Sequence, residues 1–69
     1  MTLYDYLNIE CIKRGISLRE LADEIGVTYP TINNIKSKRP NLYTYNKLMK
    51  YFDVDAAFLY QLPIKKEEK

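Results

Sequence analysis

The chain has 69 residues, 46% hydrophobic and 29% charged, with 11 basic and 9 acidic side chains, one cysteine and no histidine. That size allows one small domain with a compact core, and the balance of apolar and charged residues is that of a globular fold, not of a disordered or membrane-embedded segment. A lone cysteine rules out an internal disulfide framework and the lack of histidine removes the commonest metal ligand, so no metal and no cofactor is expected.

The punctuation of the sequence predicts five helices. Leu3, Leu7 and Cys11 recur at four-residue spacing, which predicts a helix over about 2–14 that stops at Gly15. Ser17 stands three residues before Glu20, the spacing of a capping box, and opens a second helix that runs to Gly26. Gly26 suits a left-handed C-cap, where any side chain would be strained. Thr28 is a candidate cap for a third helix over about 28–38, whose first turn tolerates Pro30 because the amides there lack intrahelical acceptors. After the break "KRPNL", a fourth helix is expected over about 43–52 with Tyr45, Leu48, Met49 and Phe52 inward. A fifth covers about 55–61 and ends before Pro63, with Leu59 as its core plug. Tyr45 and Tyr51 are expected at half-buried edges of the core. The domain is taken as residues 1–64, followed by a frayed charged tail, 65–69. The longest unbroken apolar run is Ala56 to Tyr60, so no bilayer span is expected, nor a signal segment, and a cytoplasmic location follows as an expectation.

Two features of the middle of the chain point outward. Residues 25–52 hold Lys36, Lys38, Arg39, Lys47 and Lys50 and no acid, a local charge of +5 in a chain whose net charge is +2. On the third helix, Ile32 and Ile35 mark one side, and the opposite side is Pro30, Asn33, Asn34 and Ser37, which no core can use. Ala22 permits a close approach of the second and third helices, Gly26 makes the bend, and Ile32 fills the angle, with Leu21, Val27 and Ile35 around it. This is a helix-turn-helix arrangement, whose second helix can enter the major groove of DNA.

The stretch "GISLRELADEIGVTYPTINNIKSKRPNLYTYNKLMKYFDVDAAFLYQL" resembles the Cro and phage-repressor helix-turn-helix family of transcriptional regulators, the xenobiotic response element (XRE) type, and the likeness extends over about residues 3–62. The resemblance implies an all-α, compact five-helix domain of the lambda-repressor kind that binds double-stranded DNA at a pseudo-palindromic operator, usually as a homodimer. Carried over by position, it places base contacts at Thr28, Tyr29, Pro30 and Asn34, with Thr31 and Asn33 beside them. Asn34 has the donor and acceptor pair that can bind adenine, and Thr28, Tyr29 and Pro30 offer apolar contact to a thymine methyl. Phosphate contacts are expected from Ser17 and Arg19 at the start of the second helix and from Lys36, Ser37, Lys38, Arg39 and Asn41 after the third. A dimer patch is expected at Phe58, Tyr60, Leu62 and Ile64, near the end by which relatives associate.

The sequence departs from that family at three positions. Relatives often pair an arginine late in the first helix with a glutamate at the end of the third; those positions hold Cys11 and Lys36, which suggests a buried thiol and a lysine turned toward DNA. Leu18 stands where relatives often have a phosphate-binding glutamine. The rival reading is a helix-turn-helix interaction module or antitoxin whose main partner is another protein; its mark would be acids on the outward face or loss of the basic loop. An enzyme is not expected, because no base, nucleophile and oxyanion site assemble from these residues, and no small-molecule ligand is expected in so small a domain.

Overall fold

The structure, a computed structural model, describes residues 1–65; residues 66–69 of the expected tail lie outside the described residues. The described residues are all-α, with α1 (Leu3–Arg14), α2 (Leu18–Ile25), α3 (Tyr29–Asn33), a 3-10 turn (Asn34–Lys36), α4 (Leu42–Phe52) and α5 (Ala56–Gln61). The five expected helices are therefore present, and their ends follow from local chemistry. Ser17 and Glu20 form the anticipated box, the Glu20 amide donating to Ser17 Oγ at 3.1 Å and the Ser17 amide to Glu20 Oε1 at 2.8 Å. A second box at the start of α1 joins Thr2 and Asp5 in the same way. Gly15 and Gly26 end α1 and α2 with φ of 72° and 81°, and Asp53 takes the same left-handed role after α4 at φ 57°.

Three local expectations are corrected. The third helix does not continue to residue 38: after Asn33 it tightens into the 3-10 turn, with Ser37 N–H donating to the Asn34 carbonyl at 3.0 Å. Three residues per turn bring positions i and i+3 into line, which helps Ile32 and Ile35 point into the core together. Thr28 occupies the N-cap position but its hydroxyl caps nothing; it lies 2.9 Å from the Thr31 hydroxyl. The fourth helix starts one residue earlier than expected because Asn41 caps it, its Oδ1 accepting from the Thr44 amide at 2.9 Å.

The core gathers Leu3, Tyr6, Leu7 and Cys11 from α1, Leu21, Ala22 and Ile25 from α2, Ile32 and Ile35 around α3, Tyr45, Leu48 and Phe52 from α4, and Leu59 from α5. Met49, expected inward, is only half-buried, and Thr44 is buried beside Tyr45. Tyr45 is not an edge residue: it is 2% exposed, while Tyr51 is half-buried as expected. The Leu3 amide, one of the donors that a helix start leaves over, is taken by the Pro63 carbonyl at 2.9 Å, so the segment after α5 closes on the start of α1.

Candidate nucleic-acid interface

The bend at Gly26 presents α3 outward. Ile32 and Ile35 are fully buried beneath it, while Thr28, Pro30 and Asn34 are exposed and Tyr29, Thr31 and Asn33 are half-exposed. Of the six residues expected to meet bases, none charged, Pro30, Asn33 and Asn34 make the outward ridge, Thr31 and Asn34 line one concavity, and Tyr29 lines another with Ser17 and Arg19. With five residues, α3 is too short to be helical by propensity, so its position is set by the two isoleucines it buries and by its contacts with α2.

The loop after the 3-10 turn folds back beside this ridge. Thr31, Asn34, Lys38, Arg39, Pro40 and Asn41 line a concavity of about 330 Å³, which brings base candidates and phosphate candidates to one surface. Lys38 and Arg39 are exposed there, and Ser37 is exposed with its hydroxyl turned back to the Asn34 carbonyl at 3.4 Å. Asn41 is also at this rim, but its side-chain oxygen is committed to the α4 cap, so only its amide donors face outward chemistry. Arg39 Nη1 donates to the Tyr45 hydroxyl at 2.8 Å.

The start of α2 meets α3 at Tyr29, where Ser17, Leu18, Arg19 and Tyr29 line a second concavity. The Arg19 guanidinium sits over the Tyr29 ring, 4.2 Å from its centroid, so a phosphate candidate and a base candidate are held against each other. The Ser17 amide donates to Glu20 and its hydroxyl oxygen accepts from the Glu20 amide, which leaves the O–H of Ser17 as a donor. Lys36 lies apart from the concavity, its ammonium 5.3 Å from the Tyr4 ring on α1. Cys11, the other half of that departure from the family pattern, is 2% exposed, and burial raises its thiol pKa, with Arg14 lowering and Glu10 raising it to smaller extents.

The positive interval is also divided in space. Lys38 and Arg39 flank the ridge, whereas Lys47 and Lys50 line a different notch together with Glu24, Ile25 and Tyr51. Nearness in sequence is therefore not nearness in space: α4 carries Lys47 and Lys50 to another notch, and Lys36 stands beside Tyr4.

At the other end, Phe58 and Tyr60 are 40% and 45% exposed, as the patch required. Leu62 and Ile64 are half-buried against the core, which corrects their expected exposure: the closure of the chain end on α1 draws them inward. Each aromatic also has a partner within the domain, Phe58 edge-on to Tyr6 at 5.3 Å and Tyr60 stacked on Tyr45 at 4.3 Å. Sequence reasoning missed Tyr45 as a support of this surface, because its contact with Arg39 spans the proline break and the first turn of α4, where no periodicity carries over.

Among the described residues no cluster of acidic, cysteine or histidine side chains could hold a metal ion, and no helix is long and apolar enough to cross a membrane. A comparison with protein-family models matches the helix-turn-helix family HTH_3, the Cro/C1 type, over residues 9–59. Searches of curated proteins and of solved structures gave no match. The matched span holds α2, the bend at Gly26 and the outward ridge of α3, and the chain belongs to the Cro/C1-type, XRE helix-turn-helix family of DNA-binding regulators.

Proposed function

We propose that this protein is a sequence-specific transcriptional repressor that reads the major groove of double-stranded DNA with α3 and the 3-10 turn after it. The observation that carries the reading is the uncharged polar ridge of Pro30, Asn33 and Asn34, raised on buried Ile32 and Ile35 and bordered by Lys38 and Arg39. Thr28, Tyr29, Pro30, Thr31, Asn33 and Asn34 are the base contacts in this reading. Asn34 binds adenine and its apolar neighbours meet thymine methyls, which favours A/T-leaning half-sites.

Lys38, Arg39, Ser37 and the Asn41 amide take phosphates on one side of the groove. Arg19 and the first amides of α2 take them on the other, with the O–H of Ser17 as a further donor there. Lys36 reaches the backbone from its place beside Tyr4. A second copy associates through Phe58 and Tyr60 with the half-buried edges of Leu62 and Ile64, which gives a pseudo-palindromic operator. The reading involves no catalysis, metal or small ligand, and places the protein in the cytoplasm with its DNA. The rival protein-interaction reading gains no support from this surface, whose outward face lacks acids and keeps its basic loop.

Selection of bound sites from random duplexes, followed by sequencing, tests the proposal. Enrichment of paired A/T-leaning half-sites about one helical turn apart is expected. Absence of duplex binding at low ionic strength overturns it. Light scattering at micromolar concentration tests the association separately, and a monomer there removes the dimer patch.

A further inference from the structure

Arg39 and Lys38 are adjacent, equally charged and both at the rim of the same concavity, yet the structure holds them differently. Lys38 has no side-chain partner among the described residues. Arg39 is tied by Nη1 to the hydroxyl of Tyr45 at 2.8 Å. That hydroxyl belongs to a ring that is 2% exposed and stacked on Tyr60 of α5, with centroids 4.3 Å apart and planes at 26°. A buried phenol needs a hydrogen-bond partner, and no buried side-chain polar atom among the described residues lacks one. The demand of the core for that partner therefore selects the conformer of an otherwise solvent-facing arginine.

We infer that Tyr45 is a positioning residue for the phosphate contact of Arg39, and that Tyr60 steadies it from α5. The inference rests on the proposed role of Arg39 at phosphate. A guanidinium that has given Nη1 to Tyr45 still offers the parallel Nε–H and Nη2–H edge, which suits two phosphate oxygens. A free arginine must surrender its rotamer freedom when it meets DNA, whereas this one has surrendered part of it on folding. The link also connects the duplex-facing rim to the helix offered to a second copy.

Binding of the full chain to its selected duplex and to a scrambled duplex, measured across a range of salt, tests the inference. Tyr45→Phe removes only the hydroxyl. It is expected to lower affinity about two- to tenfold on both duplexes, the scale of ordering one long side chain, with a flatter salt dependence. That loss is expected to vanish in an Arg39→Ala background and to persist in full in a Lys38→Ala background. Tyr60→Leu, an exposed position that keeps apolar cover, is expected to give a smaller loss that is likewise absent beside Arg39→Ala, and it reads the link should Tyr45→Phe fold poorly. If Tyr45→Phe binds like the parent while Arg39→Ala is weakened, the positioning role falls and the phosphate contact stands. If Arg39→Ala is itself silent, the phosphate contact falls and the inference with it. A Tyr60→Leu loss that remains in the Arg39→Ala background belongs to association through α5 and overturns the part given to Tyr60.

Discussion

In the proposed reading, Asn34 and the cations Lys38 and Arg39 divide the work of binding by the chemistry of their side chains. An amide can match the donor and acceptor edge of one base, so Asn34→Ala is expected to cost about 1–3 kcal/mol on the preferred duplex and to relax choice at one base position. Competition binding with single-base variants of the selected site measures both. Lys38→Ala is expected to weaken all duplexes alike, to reduce the salt slope by about one and to leave stability within about 0.5 kcal/mol of the parent. Arg39→Ala should also weaken all duplexes, but it has a second effect that Lys38→Ala lacks. It strips the buried Tyr45 hydroxyl of its partner, so a loss of about 1–3 kcal/mol in folding stability is expected. Urea denaturation of the two variants side by side separates a surface charge from a charge that also serves the core.

The α2–turn–α3 element depends on one backbone conformation. Gly26 has φ of 81°, and a Cβ built there would meet nothing within 4 Å, so space is not what requires glycine. The requirement is the left-handed conformation itself, which lets the Gly26 and Val27 amides both reach the Ala22 carbonyl at 2.9 Å. Gly26→Val is therefore expected to destabilise by about 1–3 kcal/mol, and Gly26→Asn by less, since asparagine tolerates positive φ. Thermal melts rank the two. If the valine variant were as stable as the parent, the turn would not be under the constraint described. Because α3 is held by Ile32 and Ile35 and not by its own helicity, damage at the bend should misplace the whole ridge together.

Over the molecule as a whole, the core contains ionisable groups that folding keeps neutral. Burial raises the Cys11 thiol above its ordinary 9.0 and, with Glu10 adding to the effect, the Tyr6 phenol above its ordinary 10.0. Between each group's ordinary pKa and its raised one, the native state holds a proton that the unfolded chain has released, so stability must fall as pH rises. The contribution is complete below about pH 9 and is lost progressively above it, with Cys11 acting first. Denaturant titrations between pH 7 and 11 should show this decline, and Cys11→Ala should remove its earlier part while leaving the part due to Tyr6. A slope unchanged by the substitution would show that the thiol is not kept neutral by the fold.

The features that were legible in the sequence are those governed by neighbours three or four residues apart. Ser17 with Glu20, the glycines at 15 and 26, Pro30 in a first turn, and the opposed faces of α3 each follow from local hydrogen-bond and steric rules, and with them the five-helix class and the identity of the ridge. Even some local devices are not legible in periodicity: Thr2 with Asp5 has the same geometry as Ser17 with Glu20, and Asn41, besides its proposed phosphate contact, caps the fourth helix. What only the tertiary structure decided are contacts between distant segments. It separated Lys38 and Arg39 from Lys47 and Lys50 and set Lys36 apart beside Tyr4, drew Leu62 and Ile64 inward when Pro63 met Leu3, and buried Tyr45 between Arg39 and Tyr60. Periodicity tells which face of a helix is turned inward, but not which residue of another helix that face will meet; that depends on the directions the turns impose and on which buried polar groups must find partners.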